Sequence, residues 1–433
     1  MEIKESDLGF KYAEFTEEMR KDYTILAPDI FPLHMDLLKE VFAMYGYKVD
    51  VLRYTGKQVI DKGLQHIHND MCYPAICASG QQLYALTNGD YDPKKVALIQ
   101  FQTGGGCRAS NYIWLLRKAL CNMGMEYVPV ISLSFSNVEQ MSGFKLYKML
   151  LVKGIVSLIY GDLFMLLRNQ VKPYEKNKGD TQKVIDKWVA ELSAQFRKNK
   201  GLLGRALKKN LRAIAKDFSE IERLNVKKTK VGIVGEIYVK YSQFGNNGLE
   251  AFLESQDCEF MVPGVIGFFQ YMFDNHQVDY KLYGGKFSEK IVSKFGSKLA
   301  DMMEKVLLNT VKEFPEFTCP SSFDKIRALG EKVIDRGVKM GEGWLLPAEI
   351  CELIESGYSN VVCAQPFGCL PNHIVGKGVI RTIREIYPDA NICPIDYDAG
   401  ASKVNQENRI KLMLAVAKEK VDEEQKIKEA ASK

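Results

Sequence analysis

Short apolar runs alternate with amphipathic helical patterns in two separate parts of the chain. In the first part, Tyr23–Ala27 and Tyr47–Leu52 have the composition of buried strands, and residues 31–45 between them have helical spacing. The same alternation returns between Lys230 and Asp396. Strand–helix–strand order is typical of parallel sheets that are covered by helices on both faces. The pattern therefore predicts an α/β fold with two doubly wound, parallel-sheet domains.

The chain divides into four predicted segments. We predict a first α/β domain over residues 1–140, a helical connecting region over 141–228, a second α/β domain over 229–420 and a charged tail over 421–433 that frays. The connecting region is apolar in its first half and rich in Lys and Arg from Gln195 to Lys230. That basic face is either a solvated helix surface or a docking surface for an acidic partner or a phosphorylated substrate.

Composition places the chain among ordinary globular proteins. Its 433 residues are 46% hydrophobic and 26% charged, and the net charge of +5 does not indicate nucleic-acid binding. No run approaches the roughly 18 to 20 uninterrupted apolar residues of a membrane span, and the N-terminus lacks the order of a signal peptide. We therefore expect a cytoplasmic protein with neither nucleic acid nor membrane as partner. The ten cysteines are scattered, unlike a secreted disulfide framework, so we expect some of them to bind a ligand.

Three cysteines share one predicted environment, a Gly- or Pro-bearing turn immediately before a helix. They are Cys72, Cys107 and Cys369, and the last two each follow an apolar run with the pattern of a buried strand. In α/β sheets, ligands bind beyond the carboxyl ends of the strands, and helix N-termini stabilise thiolates. Several thiolates are what an iron–sulfur cluster requires. The three cysteines could therefore converge on one cluster, although the chain has no C-x2-C pair and each cysteine taken singly also fits a small buried core residue.

The other cysteines are weaker candidates. Cys363, within the strand that precedes the last of the three turns, and Cys319, in a Pro-bearing loop, are the next possible ligands. Cys77 is compatible with either a core or a binding role. Core positions are favoured for Cys121, Cys258, Cys351 and Cys393, which lie in apolar helix or strand patterns.

Other familiar chemistries are not indicated. The chain has no dinucleotide-binding fingerprint, no P-loop and no G-x-S-x-G elbow. A cysteine nucleophile with a histidine base stays open, because His68 is close to Cys72 and His373 is close to Cys369 in the sequence. A structural hydrogen bond in a loop is the alternative role for both histidines.

Six motifs taken together resemble a known protein family. They are His68-Asn-Asp-Met-Cys72-Tyr-Pro74, Thr103-Gly-Gly-Gly-Cys107-Arg108, Val234-Gly-Glu-Ile-Tyr-Val-Lys-Tyr241, Gly341-Glu-Gly-Trp344, Gln365-Pro-Phe-Gly-Cys369-Leu-Pro-Asn-His373 and Ile395-Asp-Tyr-Asp398-Ala-Gly-Ala-Ser402. In this order, over about residues 23–414, they resemble the 2-hydroxyacyl-CoA dehydratase superfamily. The nearest resemblance is to its activase-related, cluster-bearing branch.

The resemblance implies a fold, a cofactor and partners. The fold is two flavodoxin- or Rossmann-like domains facing each other across a cleft, with a [4Fe–4S] or double-cubane cluster between them. Cys72, Cys107 and Cys369 match the family's cluster cysteines, with Cys363 and Cys319 as candidates for a further ligand. Thiolates around one cluster lie within roughly 6 to 7 Å of one another. The chain lacks the motifs of the actin-like ATPase activator, so we expect a separate activator protein, and a homologous second subunit or a homodimer.

Three functional hypotheses follow. In the first, the chain is the iron–sulfur component of a 2-hydroxyacyl-CoA dehydratase-like lyase of anaerobic metabolism, in which an ATP-activated, low-potential electron reaches an acyl-CoA substrate. In the second, the chain is a non-catalytic relay, or a subunit of a double-cubane, ATP-dependent reductase that acts on another small molecule. In the third, it is a cluster-free α/β binding protein whose cysteines are incidental.

Overall fold

The computed structural model of the protein describes residues 3–6, 9–102, 106–134 and 141–431. Its contacts divide the chain into two compact units. The first comprises Met1–Ser157, Val189–Leu202 and Pro366–Cys369, and the second comprises Leu158–Trp188, Leu203–Gln365 and Leu370–Lys433. The turn with Cys369 thus groups with the first unit, although the predicted boundaries assign it to the second domain. The helical connecting region is shared between the two units.

The first unit opens with a short antiparallel hairpin and continues with alternating helices and strands. The elements are β1 (Ile3–Glu5), β2 (Lys11–Ala13), α1 (Met19–Asp22), β3 (Thr24–Pro28), α2 (Pro32–Ala43), β4 (Lys48–Leu52), α3 (Lys57–His66), α4 (Tyr73–Thr87), β5 (Val96–Gln102), α5 (Tyr112–Asn122) and β6 (Val130–Ser134). Strands β3 to β6 form a parallel sheet in the order β4-β3-β5-β6. In its register, Leu26 lies between Asp50 of β4 and Leu98 of β5.

Three helices form the connecting region: α6 (Lys148–Val171), α7 (Asp180–Arg197) and α8 (Gly204–Ser219). The segment Lys148–Tyr174 has the length and hydropathy of a membrane span, but 78% of its most apolar window is buried inside the protein, as in the core helix of a soluble protein. On the basic helix α8, Lys208 and Arg212 both pair with Glu313. These pairs support the interpretation of the basic face as an ion-paired, solvated surface.

The second unit repeats the α/β pattern with more helices. Its elements are β7 (Thr229–Gly235), α9 (Ile237–Tyr241), α10 (Leu249–Ser255), β8 (Cys258–Met261), α11 (Val265–Tyr283), α12 (Phe287–Val311), α13 (Phe323–Gly330), α14 (Leu345–Glu355), β9 (Asn360–Pro366), α15 (Ile380–Ile386), β10 (Asn391–Tyr397) and α16 (Lys403–Ala431). The sheet order is β10-β9-β7-β8. The prediction of two parallel-sheet domains with helices is confirmed.

Both sheets reverse their strand order at an equivalent place. In each, the first strand along the chain has the second strand on one side and the third strand on the other, which is the flavodoxin-like order. The reversal lies between β3 and β5 in the first sheet and between β7 and β9 in the second. Ligands bind beyond the carboxyl ends of strands at such points. Cys107 follows β5 and Cys369 follows β9, so both cysteines come after strands that border a reversal.

Several elements differ from the sequence predictions, α11 and α16 among them. Helix α11 fills the segment between β8 and α12, where no element was predicted. Helix α16 continues through Ala431, into the segment 421–433 that was predicted as a frayed tail. Glu, Lys, Gln and Ala dominate that segment and have high helix propensity, which accounts for the continued helix.

Candidate functional site

Cys72 opens helix α4. It is the N-cap residue, with φ −63° and ψ 144°, and Pro74 lies in the first helical turn. Proline suits this position because its missing N–H would have no intrahelical partner there. The cysteine is only 5% exposed. The prediction that Cys72 precedes a helix N-terminus is confirmed, so its sulfur lies near the positive end of a 15-residue helix.

The sulfur of Cys72 contacts the side chain of Tyr112. The Sγ atom lies 2.8 Å from the hydroxyl oxygen of Tyr112, and Tyr112 is the first residue of helix α5. Ala75 packs with both residues, and Met71 and Ala109 lie against this small cluster. The hydroxyl is therefore a hydrogen-bond partner for sulfur in an otherwise apolar pocket. A thiolate at Cys72 would accept this bond from the tyrosine O–H.

Cys107 follows strand β5. Residues 103–105 of the predicted Gly-rich turn lie outside the described residues. Cys107 precedes a short 3-10 turn, Arg108–Asn111, that leads into α5, and both the N–H and the hydroxyl of Ser110 donate to its carbonyl oxygen, at 3.1 and 2.7 Å. The cysteine is half-buried. Its position between a strand and a helical segment agrees with the prediction.

Cys369 lies in a tight turn after β9. Its N–H donates to the carbonyl of Pro366 at 3.2 Å, and the residue is 7% exposed. Gly368 in this turn has φ +74°, a left-handed conformation that favours glycine. Helical turns begin at Leu370 and continue as a π-helical segment, Asn372–Lys377, where an α-helical pattern was predicted.

The turns of Cys72 and Cys369 are in direct contact. The N–H of Tyr73 donates to the carbonyl of Phe367 at 3.0 Å. A Cβ added at Gly368 would lie 3.1 Å from the Cα of Cys72, which is closer than ordinary packing allows. The missing side chain of Gly368 therefore lets the two backbones approach each other.

Arg108 joins the turn of Cys107 to the same place. Its guanidinium donates to the carbonyl of Asp70, two residues before Cys72. The Nη1 atom is also 3.2 Å from the position that a Cβ of Gly368 would occupy. The turns of Cys72, Cys107 and Cys369 are thus joined to one another by contacts. Each cysteine lies within two residues of such a contact.

The residue types fit an iron–sulfur cluster better than the side-chain positions do. Among the residues that the structure describes, no three His, Cys, Asp or Glu side chains are grouped so that they could hold a metal ion. Two buried thiols and one half-buried thiol on neighbouring turns nevertheless form the kind of donor set that a cluster uses. The convergence of the three turns, rather than a preformed ligand cage, is the observation that bears on the cluster.

Cys363 and Cys319, the two further candidates, have surroundings that keep a thiol protonated. Both belong to the second unit. Burial raises the pKa of the Cys363 thiol on β9 to about 12. Burial likewise raises the pKa of Cys319 to about 11, and its sulfur lies 3.6 Å from the Leu308 carbonyl. Without a bound metal, neither environment favours the thiolate form.

The two histidines have different surroundings. The Nδ1 atom of His68 accepts a hydrogen bond from the N–H of Asp70 at 3.1 Å, and its side chain is 69% exposed. This bond supports the structural alternative for His68, a loop hydrogen bond. His373 is half-buried in the π-helical segment.

A buried charged network lies after strand β7 in the second unit. Glu236 caps α9 by accepting from the N–H of Val239 at 3.0 Å, and Glu342 accepts from the N–H of Ile237 at 3.0 Å. Loss of water, and then the negative charge of Glu342, raise the pKa of the Glu236 carboxyl to about 8. In the same network, Lys240 and Glu349 form a bidentate ion pair at 3.0 Å, with both side chains about 5% exposed or less.

Sequence reasoning did not single out Tyr112 or Gly368. The signal for Tyr112 was present, because an aromatic residue opens the helix that follows the Cys107 turn. The signal for Gly368 was its place directly before Cys369. What the sequence did not contain was the pairing of either residue with Cys72, which lies 40 positions from the tyrosine and almost 300 from the glycine.

No known family model matches the chain, and no curated protein matches it.

Proposed function

We propose that the chain is the iron–sulfur component of a 2-hydroxyacyl-CoA dehydratase-like, ATP-activated electron-transfer enzyme. The observation that carries this proposal is the meeting of three cysteine-bearing turns. Phe367 bonds to Tyr73, Gly368 packs on Cys72, and Arg108 lies against Gly368 and Asp70. Three turns that bring cysteines together before helical segments, two of them directly after strands, are expected of a shared ligand site and not of isolated core cysteines.

Cys72, Cys107 and Cys369 are the residues that would hold the cluster. When bound, a [4Fe–4S] or double-cubane cluster would supply one-electron transfer at low potential. The chain's own residues would set its surroundings. The N-terminus of α4 and the hydroxyl of Tyr112 both favour negative charge on the Cys72 sulfur. The burial of Cys72 and Cys369, at 5% and 7% exposure, limits the access of water.

The proposal includes partners that the chain itself does not contain. A separate actin-like ATPase activator would deliver the electron, since the sequence has no P-loop and lacks the activator's phosphate-binding motifs. A homologous second subunit or a second copy of the chain would complete the enzyme. The substrate would be an acyl-CoA or another small molecule, and the setting would be the cytoplasm of an anaerobic cell.

The first experiment is anaerobic purification followed by iron and sulfide analysis and EPR spectroscopy. We expect stoichiometric iron and sulfide in the wild type and a marked loss of both in Cys369→Ser. Cys121→Ser is the matched control, because Cys121 is a half-buried cysteine on α5 without a role in the proposal, and it should retain the wild-type iron content. Absence of iron from protein that was never exposed to oxygen would overturn the proposal.

A second experiment separates catalysis from electron relay. The cluster-loaded protein is combined with an activator, ATP, a reductant and 2-hydroxyacyl-CoA substrates under anaerobic conditions. Formation of the enoyl-CoA product that depends on this chain supports the dehydratase. Reduction of the chain without turnover, in the presence of the homologous subunit, would instead assign it to the relay or reductase alternative.

A further inference from the structure

The helical hairpin of α11 and α12 leaves a large apolar surface in solvent. Six large apolar residues within 20 positions are each more than half exposed, from 53% at Ile291 to 77% at Tyr283. We call them the hairpin face: Tyr283, Phe287, Ile291, Val292, Phe295 and Met302. Large apolar residues are common in the core, but such a concentration on one exposed element marks an interaction surface.

The spacing places most of the hairpin face along one side of α12. Phe287, Ile291 and Phe295 follow one another at intervals of four residues, which lie above one another on a helix. The opposite side of α12 packs inward, where Ser293 donates to the carbonyl of Phe273 on α11 at 2.6 Å. The face is therefore a row of exposed apolar residues on a helix whose opposite side is already packed.

The area of the face is that of a stable protein interface. A large side chain of this kind has roughly 200 Å² of surface, so six residues that are more than half exposed leave on the order of 700 Å² of apolar surface. The largest patch on a typical monomer is about 300 to 600 Å². One side of a standard interface buries about 800 Å².

We infer that the hairpin face is the contact between two copies of this chain. A straight stripe with a four-residue interval can pack against its own copy in antiparallel fashion, so that two hairpins form a four-helix contact. A membrane-surface helix turns its whole polar side to water, whereas the inner side of α12 lies against α11. The inference rests on the proposed function only in expecting a second chain, and it does not require the cluster.

The charges within the stripe predict how the contact responds to salt. Lys294 and Lys298 are exposed and lie seven residues after Phe287 and Ile291, on the same side of α12. A two-fold contact brings the same surface of both copies together, so these lysines would face lysines. Salt screens that repulsion, and the dimer should tighten as ionic strength rises. An acidic partner or an anionic lipid surface would show the opposite dependence.

The test is sedimentation equilibrium of the full chain at low and moderate salt. We expect a dimer in the wild type and an increase in its dissociation constant of about 100-fold in the double variant Phe287→Ser/Phe295→Ser. Leu412→Ser removes an equally exposed apolar residue (69%) from α16 and should leave the dissociation constant unchanged. Circular dichroism of each variant checks that the fold is retained, which is expected because the replaced side chains are exposed.

Three outcomes would overturn the inference. One is a wild type that stays monomeric at high micromolar concentration and at both salt levels. Another is a dimer that the double variant forms equally well. The third is a monomeric wild type that binds phosphatidylserine vesicles while the double variant does not. None of these outcomes affects the cluster proposal, because iron content is measured separately and none of the exchanged residues lies on the three cysteine turns.

Discussion

The hydroxyl of Tyr112 lies 2.8 Å from the sulfur of Cys72. The two residues are 40 positions apart in the chain and lie at the starts of α4 and α5. The hydroxyl is a hydrogen-bond partner for the sulfur of one of the three predicted cluster cysteines.

Replacing Tyr112 by Phe should lower the redox potential of the bound cluster without removing iron. Hydrogen bonds to ligand sulfur stabilise the more negative, reduced state, so the loss of the O–H shifts the potential to more negative values. EPR-monitored redox titration measures the shift. Tyr84→Phe removes a hydroxyl from another position, on α4, and is the control. An unchanged potential in Tyr112→Phe would show that the hydroxyl does not donate to the sulfur.

Gly368→Ala should separate two of the three turns. The new Cβ would meet the Cα of Cys72 at 3.1 Å, and the residue has φ +74°. We expect a loss of about 2 to 3 kcal/mol in the free energy of unfolding together with reduced iron retention. Gly357→Ala is the matched control, since Gly357 has φ +90° but nothing within 4 Å of the added Cβ. Gly357→Ala should lose only the stability that its left-handed backbone costs an alanine, and it should retain iron. Equal effects of the two substitutions would contradict a close contact between Gly368 and Cys72.

The stability of the second unit should depend on the charge of Glu236. The pKa of this carboxyl is raised to about 8 by loss of water and by Glu342, while its ordinary value is 4.5. As pH rises, the Glu236 carboxyl therefore ionises in the unfolded chain before it ionises in the folded protein. Its contribution to the free energy of unfolding is complete below about pH 4.5 and is lost progressively up to about pH 8.

Glu236→Gln should remove that pH dependence while keeping an oxygen that can cap α9. Relative to wild type, the variant should gain on the order of 3 to 4 kcal/mol in free energy of unfolding between pH 5 and pH 8. Chemical denaturation at a series of pH values measures the difference. Glu385→Gln, at an exposed carboxylate on α15, should follow the wild-type curve. A constant difference between Glu236→Gln and wild type across this range would argue against a raised pKa.

The buried pair of Lys240 and Glu349 should show strong coupling. Glu349→Leu alone leaves an uncompensated ammonium in a site with about 5% exposure, and we expect a loss of about 3 to 5 kcal/mol. Lys240→Met alone should cost a similar amount. The double variant should cost much less than the sum of the two, because both charges are then absent. Denaturant unfolding of the four proteins completes the cycle, and additive costs would mean that the pair does not interact.

The sequence predicted the sheets because strand patterning is local. Tyr23–Ala27 and Asn360–Ala364 are continuous apolar runs, which is the pattern of parallel strands covered on both faces, and they form β3 and β9 with small shifts at the ends. The helix start at Cys72 was also local, since Pro74 marks the first helical turn. Helix α11 was not predicted, because its pattern is interrupted by polar residues such as Asn275, which bonds to the buried Trp344.

The sequence by itself determined the two α/β patterns and the positions of Cys72, Cys107 and Cys369 before helical segments. Only the tertiary structure decided which turns meet. The contact of Gly368 with Cys72, the bond between Tyr112 and Cys72 and the grouping of the turn Pro366–Cys369 with the first unit join residues that are distant in the chain. The physical reason is that propensity and periodicity act over a few residues, whereas these contacts depend on strand order and on how closely two backbones can approach.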